Sequence, residues 1–179
     1  MGLFAQFLRG GGQAVVGERL AEATAATLPG TEVQHLELRT IAVDLAQHLA
    51  SHVPNARLRD AFDQVAHADG LIVVSPVING SYSGLFKLFF DALDEGLLRG
   101  RPVLLAAVGG TARHSLVIEH ALLPLFYYLK AAPAPHPVFA ATKDWGSAGG
   151  KLERRIARAA AAFAEQVRSA APAEPADEF

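Results

Sequence analysis

Residues 75–84, with the sequence SPVINGSYSG, carry groups that could hold a flat, polar ring. Pro76 fixes its own backbone angle, so the residues after it can present backbone N–H groups and apolar side chains to such a ring. Asn79 offers both a donor and an acceptor, and Tyr82 offers an aromatic edge or a hydroxyl. The alternative, which stays open, is a plain strand-to-helix loop in which Ser83 caps the helix. The ligand contacts expected here are Pro76, Val77, Ile78, Asn79, Ser81 and Tyr82.

Residues 109–114, with the sequence GGTARH, form a second candidate segment. Its two glycines let the backbone approach a ligand closely, and Thr111 with the neighbouring N–H groups can bond the carbonyl oxygens of a heterocycle. The charge of Arg113 could stabilise negative charge that develops on a ring during reduction. A tight turn with a surface arginine explains the same residues. The expected contacts are Gly109, Gly110, Thr111, Arg113 and His114.

Residues 9–13, with the sequence RGGGQ, precede a stretch with helical spacing. Backbone amides at a helix N-terminus bind phosphate groups well, and the arginine adds positive charge. No Ser or Thr occurs before Thr24, so this segment has no hydroxyl donor, and a glycine-rich leader explains it equally well. The expected phosphate contacts are Arg9, Gly10, Gly11, Gly12 and Gln13.

The residues that usually act in covalent or metal catalysis give little signal. The chain has no cysteine, which excludes disulfides, thiolate chemistry, iron–sulfur clusters and cysteine zinc sites. His114 and His120 are eligible as general acids, but no carboxylate lies near either in the sequence, and surface positions explain them too. Glu119 and His120 are adjacent and point apart on a helix, so we expect no metal site there. We predict no catalytic protein residue and no metal.

Short apolar runs alternate with longer stretches of helical spacing along the chain. The predicted strands are residues 3–8, 33–38, 71–75, 102–108 and 138–141. The predicted helices are residues 15–28, 56–66, 84–98, 115–130 and 148–167, and residues 39–54 stay open between an irregular loop and a short helix.

This alternation predicts an α/β protein with a three-layer, doubly wound, parallel five-stranded sheet in the order 2-1-3-4-5. The run at 71–75 is apolar on both faces, as expected of a central strand that helices cover on both sides. In such a sheet, ligands bind beyond the carboxyl ends of the strands, near the switch in strand order. The three candidate segments follow the first, third and fourth strands, so we expect them to converge there.

Length and composition restrict the class of protein further. The chain has 179 residues, which is most consistent with one domain, predicted over residues 1–168, and a disordered tail at 169–179. A formal net charge of −2 argues against a nucleic-acid partner. No run approaches the roughly 20 apolar residues of a membrane helix, and the N-terminus lacks the basic lead of a secretory signal. We therefore expect a cytoplasmic protein with no membrane partner.

The motifs SPVINGSYSGLFK at 75–87, GGTARHSL at 109–116 and EHALLPLF at 119–126 resemble those of the NAD(P)H-dependent FMN reductases. The likeness runs from about Val15 to Gly146 and is greatest to the flavin-supplying reductases of two-component systems, of the alkanesulfonate and methanesulfonate type. The resemblance implies a flavodoxin-like fold, FMN and NAD(P)H as cofactors, and hydride transfer from the nicotinamide to flavin N5.

The resemblance also implies roles for the candidate residues. Pro76, Val77, Ile78, Asn79 and Tyr82 would border the isoalloxazine ring. Gly109, Gly110 and Thr111 would meet its pyrimidine side, and Arg113 and His114 would lie close to the flavin or the nicotinamide. Asp144, Trp145 and Gly146 look like a family feature near the site, without a clear role.

Two features of the resemblance lead to further expectations. Members usually carry a Ser/Thr-rich phosphate loop, whereas residues 9–13 offer none, which puts FMN binding in doubt. In relatives that use flavin as a substrate, the helix matching residues 115–130 contains a one-residue π-bulge at a tetramer interface. We predict a π-type irregularity near His120, with a simple kink at Pro124 as the alternative.

The leading hypothesis is an NAD(P)H-dependent FMN reductase that supplies reduced FMN to a partner monooxygenase. The alternatives are a non-enzymatic flavin-binding electron carrier and a divergent paralogue with impaired FMN binding. We also expect a homodimer or homotetramer, because many large apolar side chains follow the third and fourth strands, although they could instead cover the central sheet. The residues concerned are Phe86, Phe89, Phe90, Leu125, Phe126, Tyr127 and Tyr128.

Overall fold

The computed structural model describes the backbone of residues 2–7 and all atoms of residues 12–145 and 150–170. The strands are β1 (Gly2–Phe7), β2 (Glu32–Glu37), β3 (Gly70–Pro76), β4 (Pro102–Gly109), β5 (Ala132–Pro133) and β6 (Val138–Ala141). The α-helices are α1 (Gly12–Thr27), α2 (Ala42–Ser51), α3 (Ala56–His67), α4 (Gly84–Asp91), α5 (Leu123–Tyr128) and α6 (Gly150–Ser169). Short 3₁₀ turns occupy Leu38–Ile41, Ala112–His114 and Thr142–Trp145.

The strands form one parallel sheet in which β1 lies between β2 and β3, and β4 lies beyond β3. The far edge of β4 pairs with β5 at its beginning and with β6 at its end. The predicted count of five strands is wrong, because the described part of the chain has six. The last predicted strand is β6, and the two-residue β5 is too short to leave an apolar run in the sequence.

Helices cover both faces of the sheet, because successive strand residues point to opposite sides. In β3, Leu71 and Val73 contact one core, whereas Ile72 and Val74 contact the other. The first core contains the phenylalanines of α4 and α5, and the second contains the buried faces of α1 and α6. The predicted three-layer α/β architecture is confirmed.

Three of the five predicted helices closely match their ranges, and the helices predicted over 84–98 and 115–130 differ. Residues 39–54, left open by the sequence, form a 3₁₀ turn followed by α2. The helix predicted over 84–98 ends at Asp91, and the chain beyond it turns through Gly96 and Gly100, whose φ angles are 85° and 67°. Such left-handed angles are incompatible with a continuing right-handed helix.

The helix predicted over 115–130 is interrupted by a π-helical segment, Ile118–Leu122, before α5 begins. In this segment the N–H of Leu123 donates to the carbonyl of Ile118, five residues earlier. The prediction of a π-type irregularity near His120 is confirmed. Pro124 follows this segment at the start of α5, and the hydrogen bond from Leu123 to Ile118 identifies the irregularity as a π-helical turn rather than a simple kink at Pro124.

The large apolar side chains expected at an oligomer interface mostly cover the sheet instead. Phe86, Phe89, Phe90 and Phe126 are buried within the chain, and Leu125 packs half-buried against them. The exposed ones are Tyr127 and Tyr128.

Among the residues that the structure describes, no helix has the length and apolarity needed to cross a bilayer. The single-domain assignment to residues 1–168 stays a prediction. The predicted disordered tail lies outside the described residues from position 171 onward, and its first residue, Ser169, belongs to α6.

Candidate functional site at the carboxyl edge of the sheet

The loops after β3 and β4 leave the sheet side by side. Pro76 pairs with Val108 across the two strands, and the N–H of Val77 donates to the carbonyl of Val108 over 2.8 Å. The loops at 77–83 and 110–114 therefore begin next to each other at the carboxyl edge of the sheet, where ligands of doubly wound folds bind.

The loop after β3 contains a tight two-residue hairpin. Ile78 and Ser81 exchange two backbone hydrogen bonds of 2.9 and 3.0 Å, and the two residues between them have φ angles of 49° (Asn79) and 82° (Gly80). Positive φ at both central residues defines a type I′ turn, for which Asn-Gly is the preferred sequence. The turn displays Asn79 at an exposed tip and leaves Ile78 half exposed beside it.

Two buried serines fix the base of this loop. The hydroxyl of Ser75 accepts the N–H of Ser83 over 3.0 Å and donates to the carbonyl of Pro76 over 3.0 Å. The Ser83 hydroxyl accepts the N–H of Phe86 over 3.2 Å and caps α4, as the sequence predicted. The half-buried ring of Tyr82 packs against Phe86 with centroids 5.7 Å apart, so the loop is anchored on both sides of its turn.

The loop after β4 begins with two glycines in different surroundings. A Cβ on Gly109 would lie 2.9 Å from Cζ of Phe139 and 3.2 Å from Cβ of His114, whereas a Cβ on Gly110 would meet open space. Phe139 and His114 thus pack directly on the Gly109 backbone. The exposed backbone at Gly110 stays accessible to a ligand. The hydroxyl of Thr111 accepts the N–H of Arg113 over 3.1 Å and starts the following 3₁₀ turn.

The beginning of α1 reaches the same edge. A Cβ on Gly12 would lie 3.2 Å from Cγ1 of Val108 and 2.8 Å from Cζ2 of Trp145. Gln13 is half-buried in the same first turn. Val108 therefore contacts Gly12 through its side chain and Val77 through its carbonyl. The other three residues predicted for the phosphate segment, Arg9, Gly10 and Gly11, lie outside the described residues.

The buried carboxylate of Asp144 holds residues 144 and 145 at this edge of the sheet. Oδ2 of Asp144 accepts the N–H of Ala141 over 2.8 Å, and Oδ1 forms an ion pair of 2.9 Å with Arg155. Arg155 also donates to the carbonyl of Phe139 over 2.8 Å. Burial alone would raise the pKa of Asp144, but the Ala141 N–H, the Arg155 bond and the charges of Arg155 and Lys143 outweigh it and lower that pKa. The clamp fixes the end of β6 and the start of the turn that carries Trp145.

Three of these positioning residues were missed in the sequence. Val108 is one more apolar residue of a buried strand, and Arg155 is one of several cations on α6. Phe139 belongs to a four-residue strand whose neighbours cannot be identified before the fold is known. Each of them acts through contacts between residues far apart in the chain, so local patterns contain no signal for them.

The fold and this edge define the class of protein as flavodoxin-like. A WrbA-like flavodoxin from Agrobacterium tumefaciens has the same fold, with a TM-score of 0.68, 15% identity, and coverage of 95% of this chain and 99% of that chain. An oxidoreductase from Corynebacterium diphtheriae is nearer, with a TM-score of 0.90, 35% identity, and coverage of 95% of this chain and 98% of that chain.

Within this class, the chain belongs to the NADPH-dependent FMN reductase family, whose model matches residues 11–146. An FMN reductase (NADPH) from Pseudomonas aeruginosa is 46% identical over 110 residues, which cover 62% of this chain and 59% of that relative. The match thus spans less than two thirds of the relative's length. The family resemblance read from the sequence motifs is confirmed.

Proposed function

We propose that this protein is an NAD(P)H-dependent FMN reductase. The observation that carries the proposal is the meeting of three chain segments at Val108, which contacts Gly12 and Val77 while its own strand leads into Gly109. The family membership supports the same reaction. Both lines of support concern the same edge of the sheet, where a doubly wound fold binds its ligand.

The residues at this edge fit a flat ring with polar atoms along one side. Ile78 supplies apolar surface that is half exposed, and Asn79 supplies an amide at the tip of the type I′ turn. Opposite them, the open backbone at Gly110 and the exposed hydroxyl of Thr111 can bond ring carbonyls. The phosphate group of FMN would lie at the N-terminus of α1, where backbone amides and Gln13 replace the hydroxyl groups that the segment lacks.

When bound, FMN supplies the ring atom that accepts hydride and NAD(P)H supplies the hydride, so no nucleophile is required of the protein. The chain orients the ring between the Asn79 turn and residues 109–111. The exposed Arg113 provides positive charge near the ring as electrons arrive, and His114 is held beside Gly109 by close packing. These residues act through position and charge.

Oxidation of NADH or NADPH by the purified protein, followed with and without FMN, tests the proposal. We expect turnover that depends on FMN and saturates with it. Asn79→Gly removes the amide but preserves a residue that tolerates positive φ, so we expect weaker FMN binding with unchanged folding stability. Absence of FMN-dependent oxidation together with absence of FMN binding in a direct titration would reject the proposal.

Two further properties belong to the same proposal. Reduced FMN would pass to a partner monooxygenase, and a coupled assay with such an enzyme tests whether it is delivered. Assembly into a homodimer or homotetramer would cover the exposed rings of Tyr127 and Tyr128, which follow the π-helical segment. Light scattering of the wild type beside Tyr128→Ser measures whether these rings hold copies together.

A further inference from the structure

A basic cleft of about 780 Å³ lies next to the proposed flavin site. It opens between the 3₁₀ turn after β4, the end of β6 and the first turns of α6. Its floor is apolar, formed by Phe139 and Ala141, and its rim is cationic. The rim cations are Lys143, Lys151, Arg154, Arg155 and Arg158.

The rim charges arise from the spacing of cations on α6. Lys151, Arg154 and Arg158 recur three and four residues apart, which places them on one face of the helix. Glu153 lies outside this face and pairs with Arg19 of α1 on the other side of α6. Acidic residues of α6 therefore do not neutralise the cleft.

Within the cleft, the carboxylate of Asp144 neutralises one cation, because it is paired with Arg155. The other four rim cations make no ion pair with any residue in the ranges 12–145 and 150–170. All four are exposed at the rim of a concave surface. Several unpaired cations of one sign above an apolar floor are a suitable environment for a ligand with more than one negative charge.

The cleft is continuous with the proposed flavin site. The floor residue Phe139 reaches the backbone of Gly109, since a Cβ there would lie 2.9 Å from its Cζ. Ala112 and Ser115, which follow the ring-contacting Thr111, line the same cleft. A molecule that stacks its reactive end on a ring beside residues 109–111 can therefore extend its other end into the cleft.

We propose that this cleft binds the phosphate groups of the nicotinamide dinucleotide that delivers the hydride. The proposal rests on the proposed function. The donor combines a flat nicotinamide with a pyrophosphate, and in NADPH with a further phosphate, so one end suits the flavin ring and the other suits unpaired cations. The cleft volume also falls in the range of small-molecule sites.

The kinetic experiment compares Arg154→Gln and Arg158→Gln with a control from the same helix, Arg168→Gln. Arg168 is ion-paired with Glu165 and does not line the cleft, so the control removes one positive charge of α6 elsewhere. We expect each cleft variant to raise the KM for NADPH about three- to tenfold at low salt with little change in kcat. A rise in KM for both NADPH and NADH assigns the pyrophosphate, and a rise for NADPH alone assigns the extra phosphate.

A donor without phosphates separates this inference from a general loss of activity. With 1-benzyl-1,4-dihydronicotinamide as donor, we expect the wild type, the two cleft variants and the control to have the same KM. The inference would be overturned, with the reductase activity intact, if the KM for NADPH and the KM for NADH were each the same in all four proteins. If the cleft variants raised the KM for the phosphate-free donor as much as the KM for NADPH, the inference would be overturned too, because the effect would then lie at the flavin.

A binding experiment tests the cleft without turnover. Isothermal titration calorimetry measures this binding directly and needs no reporter group in the cleft. We expect ADP-ribose or adenosine 2′,5′-bisphosphate to bind the wild type and Arg168→Gln, and to bind severalfold more weakly to Arg154→Gln and Arg158→Gln. Inorganic phosphate that binds as tightly as these nucleotides would overturn the assignment to the donor. The heat of binding is measurable even if FMN reduction fails.

Discussion

Replacing Gly109 with alanine tests whether the end of β4 is packed as tightly as the structure indicates. The added Cβ would lie 2.9 Å from Cζ of Phe139 and 3.2 Å from Cβ of His114. Unstrained carbon atoms lie about 3.5–4.0 Å apart, so Phe139 or the backbone must move by roughly 0.6 Å or more. Phe139 is buried in a four-residue strand that Arg155 holds by its carbonyl, which limits that movement.

The expected cost of Gly109→Ala follows from this crowding. Excess volume in a packed region destabilises a protein by about 1–3 kcal/mol. For a chain of this length, each kcal/mol lowers the melting temperature by about 2–4 °C, so we expect a decrease of roughly 2–12 °C. The neighbouring variant Gly110→Ala is the matched control for stability, because its Cβ meets nothing within 4 Å and its φ is not positive.

Thermal unfolding monitored by circular dichroism, with FMN titrations of both variants, decides the question. Gly110→Ala should match or slightly exceed the wild type in stability, because alanine lowers the entropy of the unfolded chain. It should nevertheless weaken FMN binding, because the new methyl group occupies the space proposed for the ring. Equal melting temperatures for the two variants would refute the packing argument, and unchanged FMN affinity in Gly110→Ala would refute the proposed ring position.

Three other variants test the loop and the clamp. Ser75→Ala should lower the free energy of unfolding by about 1–3 kcal/mol in urea titrations, because the buried N–H of Ser83 loses its acceptor. Gly80→Ala should cost about 1–2 kcal/mol in the same assay, since a φ of 82° is unfavourable for alanine; an unchanged midpoint would contradict the type I′ turn. Asp144→Asn should lower stability by about 1–2 kcal/mol at neutral pH. Because the folded pKa of Asp144 is lowered, its contribution is present above the unfolded value of about 3.9 and is lost as pH falls through the folded pKa. The wild type should therefore lose more stability than Asp144→Asn below about pH 4, and parallel pH profiles would contradict the clamp.

Most of the fold could be predicted because the sequence patterns are local. The apolar run that became β3 is buried on both faces, and the helices beside it begin or end at recognisable caps such as Ser83. The end of α4 could not be predicted in the same way. Its apolar spacing continues to Leu98, although the helix has already ended at Asp91. Leu98 is buried without being helical, so the apolar pattern alone does not show where the helix ends.

The candidate site was predictable only in part, for a related reason. The Asn-Gly sequence at positions 79 and 80 is typical of the type I′ turn that the structure contains. The base of that loop lies beside the base of the loop containing Thr111. The contact of Gly12 with Trp145 joins residues from opposite ends of the chain. No local rule pairs them, because the pairing depends on β1 and β6 standing on either side of the central strands.

Helix α6 influences this edge in two chemically separate ways. Arg155 is committed to the protein, since it pairs with Asp144 and holds the carbonyl of Phe139. Arg154 and Arg158 lie on the same face of the helix but make no ion pair among the described residues. A substitution at Arg155 would disturb β6, the Trp145 turn and the cleft together, and its kinetic effect could not be assigned to donor binding. Arg154→Gln and Arg158→Gln remove charge that no carboxylate within residues 12–145 and 150–170 uses. A change in the KM for the donor with intact stability therefore has its cause in the ligand's own charge.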